Sequence, residues 1–284
     1  MKKTAQYAHA YLIYRHDHLP TDFPVEADFA GLVCGLFLPP KRQGKFAVAS
    51  CPARILLLFP HIVTVVPHPS SGSPRLNVRL SDIAVIEQRH LFPDASITIR
   101  AADAIQQWPY DMHEEGLVAE FLFQLRQLFL TNQPKERPVG RGVFGEPLDH
   151  KFGCGESDNV DRGEALNARF FSAPSTMVKK KWLFRTNVSI PGEYLALTSR
   201  RILWLSDQID GVYQQSGIMS RYAPLRRISD IRFSRQENTC EISLEFFENI
   251  RWSVPIQPDF CDEAESFTRQ THRLLLWHEV QKMA

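Results

Sequence analysis

Period-two alternation and apolar, β-branched enrichment together mark Phe46 to Ala49, Arg54 to Phe59, Ile62 to Val66, Asn77 to Ile86 and Ala95 to Arg100. The pleat of a strand sends successive side chains to opposite faces, so each of these β-branched-rich runs predicts a strand. The same pattern predicts strands over Trp182 to Val188, Tyr194 to Leu197, Ile202 to Ser206, Arg227 to Phe233, Cys240 to Phe247 and Arg251 to Ile256. Clusters such as Pro67-His68-Pro69-Ser70-Ser71-Gly72-Ser73-Pro74 separate them. The period lengthens at the end of each half. Leu117, Phe121, Leu125 and Leu128, with Val118, Leu122 and Phe129 alongside, form one apolar helical stripe. Asp111 followed by Glu114 suits a capping box at its start. A second helix is predicted from about Phe260 to Lys282, with Phe260, Ala264, Phe267, Thr271, Leu274 and His278 on one face. Asp259, Asp262 and Glu263 suit the positive N-terminal end of that helix. Each helix needs an apolar partner surface, which a strand-built barrel or sandwich with a helix across one end supplies.

The pattern repeats. Ala53 to Leu58 resembles Arg200 to Leu205, and Leu80-Ser81-Asp82-Ile83 resembles Ile228-Ser229-Asp230-Ile231. The alternating runs at Ile97 and Ile242 are followed 11 and 10 residues later by Trp108 and Trp252, and a helix closes each half. Recurrence of unlike elements in one order points to a duplicated domain, and two copies are too few for a solenoid.

With 284 residues the chain is long enough for one large or two small cores without staples. Residues 134–164 carry seven acidic and five basic residues and six glycines without sustained periodicity, which reads as an irregular linker between domains at 1–133 and 165–284. A net charge of +1 does not suit a surface that tracks nucleic acid, so none is expected as a partner. Cys34, Cys51, Cys154, Cys240 and Cys261 are odd in number and form no CxxC pair, which favours reduced thiols in a cytoplasm. The opening residues make a poor secretory signal. The longest apolar stretch, Ile55 to Val66, is too short for a membrane-spanning helix and contains Pro60 and His61.

The run Gly192-Glu193-Tyr194-Leu195-Ala196-Leu197-Thr198-Ser199-Arg200-Arg201-Ile202-Leu203-Trp204-Leu205-Ser206-Asp207, followed by Tyr222-Ala223-Pro224-Leu225-Arg226-Arg227-Ile228, resembles the bacterial pleckstrin-homology-like domains. The resemblance covers about Lys179 to Gln281, and the first half shares it through the repeat. It implies a mainly β fold with C-terminal helices: two tandem barrels or sandwiches, each of six to seven antiparallel strands capped by one helix. It also implies a binding module rather than an enzyme, without cofactor or metal. Relatives that bind phosphoinositides carry a Lys near the end of the first strand and alternating basic residues in the second. Here Lys179, Lys180, Lys181 and Arg185 match in place, whereas Arg200 and Arg201 are adjacent.

Charge is concentrated in the same region. Between Lys179 and Arg235, eleven basic residues face four acidic ones, and the balance reverses from Gln236 onward. Lys179, Lys180, Lys181, Arg185, Arg200, Arg201, Arg221, Arg226 and Arg227 are therefore the candidate site for anionic lipid headgroups or a protein partner, with internal pairing as the structural alternative. Homo-oligomerisation stays open. The expected location is cytoplasmic, with peripheral attachment at the inner membrane face left open.

Other motifs carry less. Gly140-Arg141-Gly142-Val143-Phe144-Gly145 fits GxGxxG, but Pro138 and Pro147 flank it where a dinucleotide site needs a strand and a helix. His16, His18, His61, His68, His90 and His113 lack metal-ligand spacing, no GxSxG elbow is present, and Trp108 and Trp252 suit core positions. A ligand-carrying or catalytic barrel with an interior pocket is the alternative to docking.

Overall fold

The computed structural model describes residues 9–23, 29–42, 50–91, 95–101, 104–131, 152, 156, 160, 164, 166–181, 184–209, 216–236, 239–247 and 249–283. The strands in the first half are β1 (Tyr11–Ile13), β2 (Cys34–Leu38), β3 (Lys41–Arg42), β4 (Ser50–Cys51), β5 (Arg54–Phe59), β6 (Ile62–Pro67), β7 (Leu76–Arg79), β8 (Ile83–His90), β9 (Ala95–Ala101) and β10 (Ala104–Tyr110). Helix α1 (Glu115–Thr131) follows them. Next come β11 (Leu166–Ser172), β12 (Ser175–Lys181), β13 (Phe184–Ile190), β14 (Glu193–Thr198), β15 (Arg201–Ile209), β16 (Ser216–Pro224), β17 (Ile228–Gln236), β18 (Thr239–Phe246) and β19 (Arg251–Ile256), and the chain closes with α2 (Cys261–Met283). The fold is mainly β, with antiparallel pairing in every described ladder. The expected strand Phe46 to Ala49 lies outside the described residues.

Contacts divide the chain into two units, Met1–Ile83 with Phe92–Pro134 and Ala84–Leu91 with Lys135–Ala284. In the first unit β1, β2, β5, β6 and β7 form one sheet, β3 pairs with β4, and β9 with β10. The sheet's core cluster gathers Ile13, Phe37, Ile55, Leu57 and Val66. Helix α1 lies against β1 and β2 and buries Val118, Phe121, Leu122, Leu125 and Phe129, whereas Leu117 and Leu128 of the expected stripe are half-buried. Its start differs from the expected capping box. Asp111 caps a 3-10 turn over Met112–Glu114 by accepting the His113 N–H, whereas Glu114 Oε1 accepts the N–H of Ala10 at 2.7 Å.

In the second unit β16, β15, β14 and β11 lie in order, and β17, β18 and β19 form a three-stranded sheet. Strand β19 alternates exposed and buried at each residue, with Trp252, Val254 and Ile256 inward, as a sheet with one solvated face requires. Strand β14 is buried along its whole length, and on its second face Phe152 lies beside Tyr194 at a ring separation of 6.3 Å and Thr198 meets Glu164. One core takes Phe170, Leu195, Trp204, Ile231, Leu244 and Val254 from the strands and Ala264, Phe267 and Leu274 from α2. Residues 134–164 were expected to run as a linker. Phe152 is instead buried, and Glu156 and Glu164 form ion pairs with Arg169 and Arg201.

The stretch Asn77 to Ile86 was expected as one strand of the first domain. It is broken by a 3-10 turn at Leu80–Asp82, and β8 beyond it belongs with the second unit. There β8 pairs antiparallel with β16, from Ile86 opposite Tyr222 to His90 opposite Ile218. An edge strand presents unpaired N–H and C=O groups, and pairing with β8 satisfies those of β16. Gly217 allows the close approach: a Cβ there would lie 2.0 Å from the His90 carbonyl oxygen.

The cysteines also differ from expectation. Cys240 near the start of β18 and Cys261 at the start of α2 are joined by a disulfide across a Cα separation of 6.0 Å. A sequence separation of 21 residues hides this pairing, because only the return of α2 onto the sheet brings the two together.

Candidate functional site

The nine basic candidates occupy four environments rather than one patch. Lys179, Lys180 and Lys181 end β12, and Arg185 is the second residue of β13; their side chains lie outside the described residues. The register sets Lys179 opposite Thr186, Lys180 opposite Arg185 and Lys181 opposite Phe184. Four cationic residues therefore share the three rungs nearest the turn of a separate two-stranded hairpin.

Arg200 and Arg201 sit at the turn from β14 to β15. Thr198 Oγ1 accepts the N–H groups of both, at 3.2 and 3.0 Å, and donates to Glu164 Oε1. Arg201 Nη2 meets Glu164 Oε2 at 2.5 Å, and its side chain is 2% exposed. Arg201 is thus an internal ion-pair partner, which is the structural alternative weighed against an exposed basic face.

Arg221 is internal for a related reason. It is the cross-strand partner of Trp204 on β15 and of Glu87 on β8. Directly opposed side chains on one sheet face meet. Arg221 Nε reaches Glu87 Oε1 at 3.3 Å, and its guanidinium carbon stands 4.1 Å from the Trp204 ring centre and 5.7 Å from that of Trp252. An arginine over an indole face is attracted by the ring quadrupole. Both acidic partners, Glu87 and Glu164, lie outside the stretch whose charge excess nominated the site. Arg226 and Arg227 are half-buried in the 3-10 turn before β17, where burial, then the neighbouring Arg227 charge, lowers the pKa of Arg226.

Beside Arg221 lies a group that charge counting missed. Glu193 opens β14 at 2% exposure, opposite Ser206. Its Oε2 accepts Trp204 Nε1–H at 2.5 Å and its Oε1 accepts Ser206 Oγ–H at 2.9 Å. Burial pushes the carboxyl up to about 7, against the Trp204 and Ser206 hydrogen bonds and the Arg221 charge; Asp207 adds a smaller push upward. A signal was present, since alternation along β14 puts Glu193 on the same face as Leu195 and Leu197, both core residues.

No family model matches this chain, and no curated protein does.

Among the described residues no three His, Cys, Asp or Glu side chains converge as a metal site, and no helix is long and apolar enough to cross a membrane. Trp108 and Trp252 are buried, at 1% and 5% exposure, as core aromatics are. The glycine run 140–145 lies outside the described residues, as does Cys154.

Proposed function

We propose that this chain is a non-enzymatic docking module built from two pleckstrin-homology-like units, and that it engages an anionic membrane surface through the hairpin β12–β13. The recurring order of strands, 3-10 turn, three strands, 3-10 turn and helix supports the tandem reading. The packed apolar interior of the second unit supports docking by an outer surface over a ligand-carrying barrel.

The observation that carries the membrane reading is the hairpin register. Arg201 and Arg221 are committed to internal pairs, while Lys179, Lys180, Lys181 and Arg185 share adjacent rungs. Each basic residue near an anionic leaflet contributes about 1 kcal/mol. Strand alternation puts Lys180 and Arg185 on one face of the hairpin and Lys179 and Lys181 on the other, so one face supplies two charges, about 2 kcal/mol, roughly thirtyfold in partitioning. The proposed location is the cytoplasmic membrane face, where anionic lipids concentrate. The Cys240–Cys261 disulfide counts against that compartment, because cytosolic thiols are kept reduced.

Flotation of the full chain with neutral phosphatidylcholine vesicles and with vesicles containing phosphatidylserine tests the reading. Binding should require the anionic lipid, fade as salt rises through the screening range, and drop at least tenfold when Lys179, Lys180 and Lys181 are replaced together by Glu. Equal recovery on both vesicle types would end the membrane reading and leave a protein partner as the docking target.

A further inference from the structure

The first unit holds a cavity of about 430 Å³, at the small end of the range that ligand pockets occupy. Its wall includes Glu114, which is 8% exposed. One carboxylate oxygen, Oε1, takes the Ala10 N–H at 2.7 Å. The other, Oε2, is buried with no hydrogen-bond partner among the described residues. A buried carboxylate oxygen that has given up water without gaining a donor is unfavourable, and a charged donor relieves that cost best.

Lys41 also lines the cavity, and its Nζ is held by donation to the Tyr110 carbonyl at 2.5 Å. Pro39, Pro40 and Leu117 add side chains that carry no polar atom, and His9, Asp111 and His113 stand elsewhere on the wall. The cavity thus combines an acceptor that lacks a donor, a positioned cation and an aliphatic surface.

We propose that this cavity binds a small zwitterion of the amino-acid class. The ligand's ammonium donates to Glu114 Oε2, its carboxylate faces Lys41, and its carbon chain lies along Pro39, Pro40 and Leu117. Lys41 gives the site its polarity, because a simple amine would be repelled by the ammonium and a simple carboxylate by Glu114. This site lies in the first unit and is independent of the hairpin proposed for docking.

The test is an NMR titration of the full-length ¹⁵N-labelled chain, followed at the Ala10 amide that donates to Glu114. The probes are the unbranched ω-amino acids from glycine to 6-aminohexanoate, each compared with the alkylamine and alkanoate of equal chain length. At least one amino acid should shift the Ala10 resonance saturably, with a dissociation constant at least tenfold below that of either single-ended analogue. Glu114→Gln keeps the size and the acceptor for Ala10, and should weaken that amino acid at least tenfold while leaving the alkanoate unchanged or tighter. Lys41→Met should weaken it while leaving the alkylamine unchanged or tighter, and this arm stands if the Glu114 variant fails to fold. No saturable shift with any probe, or equal affinity for the single-ended analogues, overturns the proposal.

Discussion

Replacing Glu193 by Gln should stabilise the second unit in mild alkali and change it little in acid. The folded carboxyl titrates near 7 against an ordinary 4.5, so between these values the folded state holds a proton that the unfolded chain releases. Stability from the protonated form is fully present below about pH 4.5 and is lost as pH rises through 7. The shift of about 2.5 units corresponds to about 3 kcal/mol at pH 8, at 1.36 kcal/mol per unit. Glutamine holds the neutral hydrogen-bonding pattern at every pH. Its oxygen can accept the Trp204 indole N–H, its amide can donate to the Ser206 hydroxyl, and Arg221 keeps Glu87 as its partner. Urea unfolding of both proteins at pH 5, 6, 7 and 8, read by tryptophan fluorescence, measures the difference, and groups common to both cancel. The gap in favour of Glu193→Gln should widen by about 2 to 3 kcal/mol from pH 5 to pH 8. A gap that stays flat, or that shifts toward the native protein as pH rises, would mean the carboxylate is solvated or fully compensated by Arg221.

Arg201→Met should destabilise the second unit by about 3 to 5 kcal/mol, because it strands Glu164 as an uncompensated charge; the Glu164 side chain is only 5% exposed. Adding Glu164→Leu should recover most of that loss in the same unfolding assay, and no recovery would show that Arg201 acts through something other than this pair. Gly217→Ala should cost about 1 to 3 kcal/mol by forcing a methyl group against the His90 carbonyl. Hydrogen exchange at the backbone amides of Ile86 to His90 should then accelerate, and unchanged protection there would refute the pairing of β8 with β16.

The helices were legible because their signal is local. Spacing over a few turns selects the stripe of Phe121, Leu125 and Phe129 and that of Ala264, Phe267 and Thr271, and all six are buried. The site was not legible from the same kind of count. Arg201 finds its carboxylate 37 residues away and Arg221 finds its own 134 residues away, so an excess of cations inside one stretch says nothing of whether they are free. Alternation tells which face a strand buries but not which edge it joins, and β8 could therefore be recognised as a strand without its place beside β16 being foreseen.

The expected duplication meets the same limit at a larger scale. Trp108 and Trp252 fall on β10 and β19, each the third strand after a 3-10 turn, and each is followed by another 3-10 turn and a helix. Over that part the order of elements is the same in both halves. Toward the start of each copy it slips. Arg54 opens β5, the third strand before its turn counting β5, β6 and β7, whereas Arg201 opens β15, the second counting β15 and β16. Ser81 and Asp82 lie in their 3-10 turn, while Ser229 and Asp230 lie in β17 beyond theirs. Consecutive buried strands share the same β-branched and leucine-rich composition, so moving one copy by a whole strand costs a sequence comparison almost nothing. The buried leucine that opens each 3-10 turn, Leu80 and Leu225, is the better anchor. It marks where one sheet ends and the next begins, a junction that only one register can satisfy.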